Sequence, residues 1–214
     1  ALPFPVYRVM EKGGLTVALE EAAYLGGRVA TIPFYTEGDG IVRRQCTLEY
    51  KIKPIRAKIR ELLGVGPGKR VPKGSHVHQY IGISLDEIQR MKPSTEKYIT
   101  HYWPLVDVRM KRHECTNWMV RNEYPEASRS ACVYCPYHSD HEWRRLRDKE
   151  PSGFAEAVRV DTMVRDSMPG LREKVYLHNS RVPLDEVDLS TEEDRGQTTF
   201  YDAWNNECEG MCGN

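Results

Sequence analysis

Short apolar runs alternate along this chain with segments whose apolar residues fall three or four apart, and Gly- and Pro-rich stretches separate them. FPVYRV, residues 4–9, reads as a short buried strand, and TVALEEAAYLGG, 16–27, as a helix stopped by Gly26 and Gly27. Beyond the turn TEGDG, Ile52, Ile55, Ile59 and Leu62 recur at helical spacing between Lys and Arg residues. They predict an amphipathic helix over 53–64 with Pro54 in its first turn, where a missing N–H is tolerated. VGPGKRVPKGS is loop, HQYIGIS a strand, and DEIQRMK a short helix closed by Pro93.

HYWPLVDV reads as extended, KRHECTNWMVRNEY as a helix with Trp118 and Met119 inward, and PEASRSACVYCPYHS as irregular. Helices are expected from Asp140 to about Lys149 and from about Ser152 to Asp166, then the strand VYLH and a weakly patterned tail. Strands alternating with helices predict an α/β fold, a mostly parallel sheet with flanking helices, carrying an irregular cysteine-rich region. The expected division is a domain over 1–179 and an acidic C-terminal tail over 180–214. Because a strand opens the chain and no initiator Met precedes it, the fold is expected to be incomplete at its N-terminus.

With 40% apolar and 29% charged residues, the 214-residue composition is that of a globular domain rather than a disordered segment. TVAL and YIGIS fall far short of a membrane span and no signal peptide opens the chain, so a cytoplasmic protein without membrane contact is expected. Formal neutrality hides an asymmetry: residues 43–73 hold ten Lys or Arg against two acids, and residues 180–214 nine acids against two Arg. The basic run suits anions, nucleic acid among them, and equally suits a solvated face.

Six cysteines in a chain of this size without a secretory signal point to metal or redox chemistry rather than disulfide staples. Cys132 and Cys135, two residues apart and followed by Pro136, have the spacing of half a tetrahedral site. A closed site needs about four ligands, whether zinc or an iron–sulfur cluster is held. Cys46, among Arg43, Arg44 and Lys51 near a helix start, sits where a thiolate is favoured. Cys115 serves either as a ligand or as a buried core thiol, and His113, His138 and His141 are substitutes. Cys208 and Cys212, in NECEGMCGN, stand open between a redox pair, further ligands and plain terminal thiols. Asp86 and Glu87 read as capping charges, Asp107 and Arg109 as a solvated pair, and Ser128, Arg129 and Ser130 as anion donors or support for the metal loop.

QCTLEYKIKPI followed much later by the CxxC resembles the CCxxxKxxP…CxxC arrangement of assimilatory adenylyl-sulfate and phosphoadenylyl-sulfate reductases. Cys46, Lys51 and Pro54 hold that spacing, and Thr47 stands where the cluster-binding reductases have a second cysteine, so Cys115 is taken as the fourth ligand. The terminal ECEGMCG resembles their nucleophile-bearing ECG tail, with Cys208 in the matching position and Glu209 departing from it. Nearly the whole chain, from LPFPVYRV through YIGISLDEIQRMKPS, SACVYCPYHSDHEW and YLHNSRVPL to CEGMCG, resembles the phage and bacterial branch of the adenine nucleotide α-hydrolase-like superfamily.

The resemblance implies a reductase-like or sulfur-transfer enzyme of a bacterial or phage-infected cell, acting on an adenine nucleotide, a sulfonucleotide or a nucleotide-activated substrate. It implies a 4Fe–4S cluster, with zinc as the alternative, on Cys46, Cys115, Cys132 and Cys135. Arg43, Arg44 and Lys51 are the implied anion ligands and Cys208 the implied nucleophile. In that family an SGGxDS loop cradles the phosphates; residues 1–214 contain none, so nucleotide binding is expected only if that loop is supplied. The competing expectation is a zinc-stabilised, non-enzymatic module that binds nucleic acid or a protein.

Overall fold

A computed structural model describes residues 3–26, 32–125, 132–190 and 194. In chain order its elements are α1 (Gly14–Leu25), β1 (Tyr35–Thr36), a wide π-type turn (Leu48–Ile52), α2 (Lys53–Leu62), β2 (Val77–Tyr80), a 3-10 segment (Leu85–Arg90) and β3 (Ile99–Tyr102). Then follow α3 (Pro104–Asp107), α4 (Arg112–Arg121), α5 (Asp140–Lys149), α6 (Pro151–Val164) and β4 (Val175–Tyr176). Two compact units contain them: residues up to 55 with those from 132, and residues 56–125.

The first unit is built on α6. Ala157, Val160 and Val164 repeat at helical spacing and are buried against Leu19 and Ala22 of α1 and Trp143 and Leu146 of α5. β1 pairs antiparallel with β4, Tyr35 opposite Tyr176 and Thr36 opposite Val175, and Phe34 and Leu177 enter the same core. Asp161 also lies on the buried face of α6, at 0% exposure. Its carboxylate accepts from the backbone N–H groups of Leu177 (2.8 Å) and Leu184 (3.1 Å) and from Arg165 (2.7 Å). One buried charge thus satisfies two chain donors and fastens the segment after β4 to the helix.

In the second unit β2 and β3 pair in parallel, with His78 opposite Thr100 and Tyr80 opposite Tyr102. Asp86 accepts from the Ser84 hydroxyl (2.9 Å) and from the N–H of Arg112 (2.7 Å), the first residue of α4. It therefore has the capping role expected of it, for α4 rather than for its own segment.

A mostly parallel sheet does not form. The described residues hold two separate two-stranded sheets, one antiparallel and one parallel, within a largely helical structure. A parallel sheet needs strands long and apolar enough to be buried on both faces. Here β2 and β3 each bury one side at most, and the main core is supplied by helix packing. FPVYRV pairs with no strand among the described residues, and Phe4 and Val6 stand exposed. HQYIGIS stops pairing at Tyr80, and HYWPLVDV turns from strand to helix at Pro104. Trp118 is outward, stacked on Tyr124 at 5.6 Å, while Cys115 and Met119, four apart, are the half-buried face of α4. The basic helix forms as expected, with the π-type turn before Pro54 opening the backbone ahead of the ring.

Candidate metal and thiol site

Four described cysteines are thiols: Cys46, Cys115 and Cys135 half-buried, Cys132 exposed. Between Cys132 and Cys135 the chain makes a tight turn, with the Cys135 N–H donating to the Cys132 carbonyl at 3.0 Å. The His138 N–H donates to the Cys135 carbonyl (3.1 Å), and the Ser139 hydroxyl then accepts from Glu142 N–H, capping α5. The turn is anchored from beneath. Val133 packs on the first unit's core, Tyr134 is buried in it, and the Tyr134 hydroxyl meets Thr16 of α1 at 2.8 Å. The His138 ring meets buried Trp143 edge-on, 4.7 Å between centroids.

Cys46 packs against the same core. Two residues before it, the Arg44 guanidinium lies 5.9 Å from the centre of the Tyr137 ring, so the Cys46 segment and the CxxC turn are held side by side. Three phenols near these sulfurs are held above the ordinary tyrosine value, and burial is the first cause in each. Tyr134 is held far above the ordinary tyrosine range by burial and by Cys132. Tyr35 is raised by burial and then by Cys135, with Arg181 opposing, and Tyr50 is raised by burial, with Cys46 contributing after Glu11 and Glu49.

Arg181 donates to the Thr36 carbonyl (2.8 Å) and pairs with Asp39 (3.0 Å). Beside it His178 is buried: the Ser180 N–H donates to its Nδ1 (3.2 Å), which leaves Nε2 as the donor to Asp140 at 3.0 Å. Tyr35, His178, Asp140 and Arg181 therefore join the turn's surroundings. Within the family resemblance, YLHNSRVPL carried a signal for His178 and Arg181 and SACVYCPYHSDHEW one for Asp140; no motif links Tyr35 to the cysteines.

Of the expected metal ligands, Cys46, Cys132 and Cys135 belong to the first unit and Cys115 to the second. Burial, then Asp86 and Glu114, raises the Cys115 thiol. Among the described residues no three His, Cys, Asp or Glu side chains converge as a ready metal site. Of the expected anion ligands, Arg43 and Lys51 are exposed and Arg44 is half-buried on Tyr137. Cys208, Cys212, Ser128, Arg129 and Ser130 lie outside the described residues. No described helix is long and apolar enough to cross a membrane. No family model, curated protein or solved structure matches this chain.

Proposed function

We propose that the first unit carries a thiolate-bound metal centre, an iron–sulfur cluster or zinc, serving reductive or sulfur-transfer chemistry on an adenine nucleotide or another nucleotide-activated substrate. The observation that carries this reading is the contact of Arg44 with Tyr137, which sets the Cys46 segment against the hydrogen-bonded Cys132–Cys135 turn on one core. The donor set fits: cysteine sulfur suits both zinc and iron–sulfur clusters. Cys46, Cys132 and Cys135 are the proposed ligands within this unit, and the fourth is a further cysteine of the chain. When bound, a cluster supplies electron-transfer or substrate-positioning capacity. Arg43, Arg44 and Lys51 supply positive charge for a phosphate or sulfate, and Cys208 is the proposed nucleophile.

A second reading, a zinc-stabilised module for nucleic acid, is favoured by the basic excess of the second unit. Residues 56–125 hold thirteen Lys or Arg against seven Asp or Glu. Metal analysis and visible absorption of anaerobically purified protein, followed by a turnover assay with adenine nucleotides, separate the two. Iron and sulfide with a broad visible band support the first reading in its cluster form; zinc without a band and without turnover supports the second. Cys132→Ala and Cys46→Ala are expected to lose the metal, and full metal content in both variants overturns the site. Alkylation of metal-loaded protein followed by mass spectrometry identifies the fourth ligand as the further cysteine that bound metal shields.

A further inference from the structure

Strand alternation gives the β2–β3 pair two unlike faces. Ile99 is buried and Val77 and Gln79 are half-buried, while His78 and Tyr80 of β2 and Tyr102 of β3 are exposed. The parallel register sets Tyr80 beside Tyr102, their rings 5.4 Å apart and inclined by only 27°. His78 meets Tyr102 at 5.1 Å, and His76 meets His78 at 4.9 Å while its Nε2 lies 3.2 Å from the Thr100 hydroxyl. Four rings thus form one continuous exposed row, with Tyr80 at 66% of its full exposure. A protein seldom leaves touching aromatic rings in water unless something lies on them.

The charge around this row indicates its occupant. The loop that runs straight into β2 carries Lys69, Arg70 and Lys73, all exposed and in no ion pair among the described residues, and Lys97 stands exposed two residues before β3. Arg60 donates to the carbonyls of Gly66 and Lys69, which ties that loop to α2. Three of this unit's acids are already paired, Glu61 with Lys58, Glu87 with Arg90 and Glu96 with Arg56. The remaining field is positive.

From the exposed ring row and its flanking cations we infer that the β2–β3 face is a stacking platform for the bases of a single-stranded nucleic acid. Lys69, Arg70 and Lys73 neutralise the phosphates. Bases stack on rings without regard to sequence, whereas paired bases in a duplex do not offer their faces. This deepens the nucleic-acid reading above and requires no metal centre.

The test is fluorescence anisotropy of the full chain, with its metal measured on each sample, against labelled oligothymidylate and oligouridylate of about twelve nucleotides and a DNA duplex of equal length. Tyr80→Ala and Tyr102→Ala are each expected to weaken single-strand binding by roughly 5- to 100-fold, and Tyr80→Phe to retain it. Lys73→Ala is expected to lower the slope of log affinity against log salt by about 0.7. Both tyrosines are surface residues, and an unchanged circular dichroism spectrum shows that the variants fold. Wild-type affinity in both Ala variants, equal binding of the duplex, or binding of no oligonucleotide overturns the platform. Single-strand preference for DNA or for RNA says which polymer it serves. Because metal content is read separately, loss of metal with retained binding counts against the metal centre alone.

Discussion

Asp161 shows how much one side chain can carry. Its carboxylate, wholly buried, is the acceptor for two chain N–H groups and one guanidinium. Asp161→Ala leaves those donors without their acceptor and should cost about 3–5 kcal/mol, read from the shift in a urea unfolding midpoint. Asp161→Asn keeps an acceptor oxygen and should cost less. Tyr134 makes a pH prediction of definite sign. Its folded-state pKa lies above the ordinary value, so the folded protein holds the phenol proton more tightly than the unfolded chain does. Stability should be unaffected below pH ~10, where both states are protonated, and fall as pH rises further. Tyr134→Phe loses the Thr16 hydrogen bond, worth about 1 kcal/mol near neutrality, and should flatten the alkaline decline. Cys115 follows the same logic: with its pKa raised, its alkylation should reach half its maximal rate above the ~8.5 of an ordinary thiol. At this scale the tight CxxC turn was legible because its spacing is local. Asp161 and Tyr35 were not, since each takes its meaning from partners that only the fold brings near.

Elements were legible where their pattern repeated over two or more turns. Helices α2, α5 and α6 lie close to the expected ranges because spacings of three and four persist and Ser139 supplies a cap. The sheet was misjudged for the opposite reason. FPVYRV and YIGIS are short apolar runs, and a run of that length says nothing about whether a partner strand exists. The helical reading sets Trp118 inward beside Met119, whereas Cys115 and Met119 mark the half-buried side of α4. Gly153 offers a test of element energetics. It lies in the first turn of α6, where a Cβ would meet Leu146 Cδ2 and Val133 Cγ1 at 3.5 Å, an ordinary contact distance. Gly153→Ala should therefore stabilise the first unit by roughly 0.5–1 kcal/mol, through the unfolded chain's lost freedom. Thermal unfolding checks this, and destabilisation would show that the neighbours cannot hold their places.

Across the whole chain, two units with unlike interiors should respond differently to the same perturbation. The first has a continuous core from α1 through α6 to β4, and the CxxC turn is rooted in it through Val133 and Tyr134. The second has few buried apolar side chains, Val65, Ile83 and Ile99 among them, and so has less apolar burial to resist local opening. A ligand stabilises what it binds by mass action, by about 2.7 kcal/mol when present at a hundred times its dissociation constant. Stripping the metal with a chelator should therefore speed amide exchange roughly 100-fold in residues 132–139 and in the α5 and α6 segments that open with them. Exchange in β2 and β3 should stay as it was, since neither strand bears a proposed ligand. Unchanged exchange throughout residues 132–164 after complete metal removal would mean that the turn does not hold a metal at all. Its local hydrogen bonds and the Tyr134 anchor would then account for the turn without one.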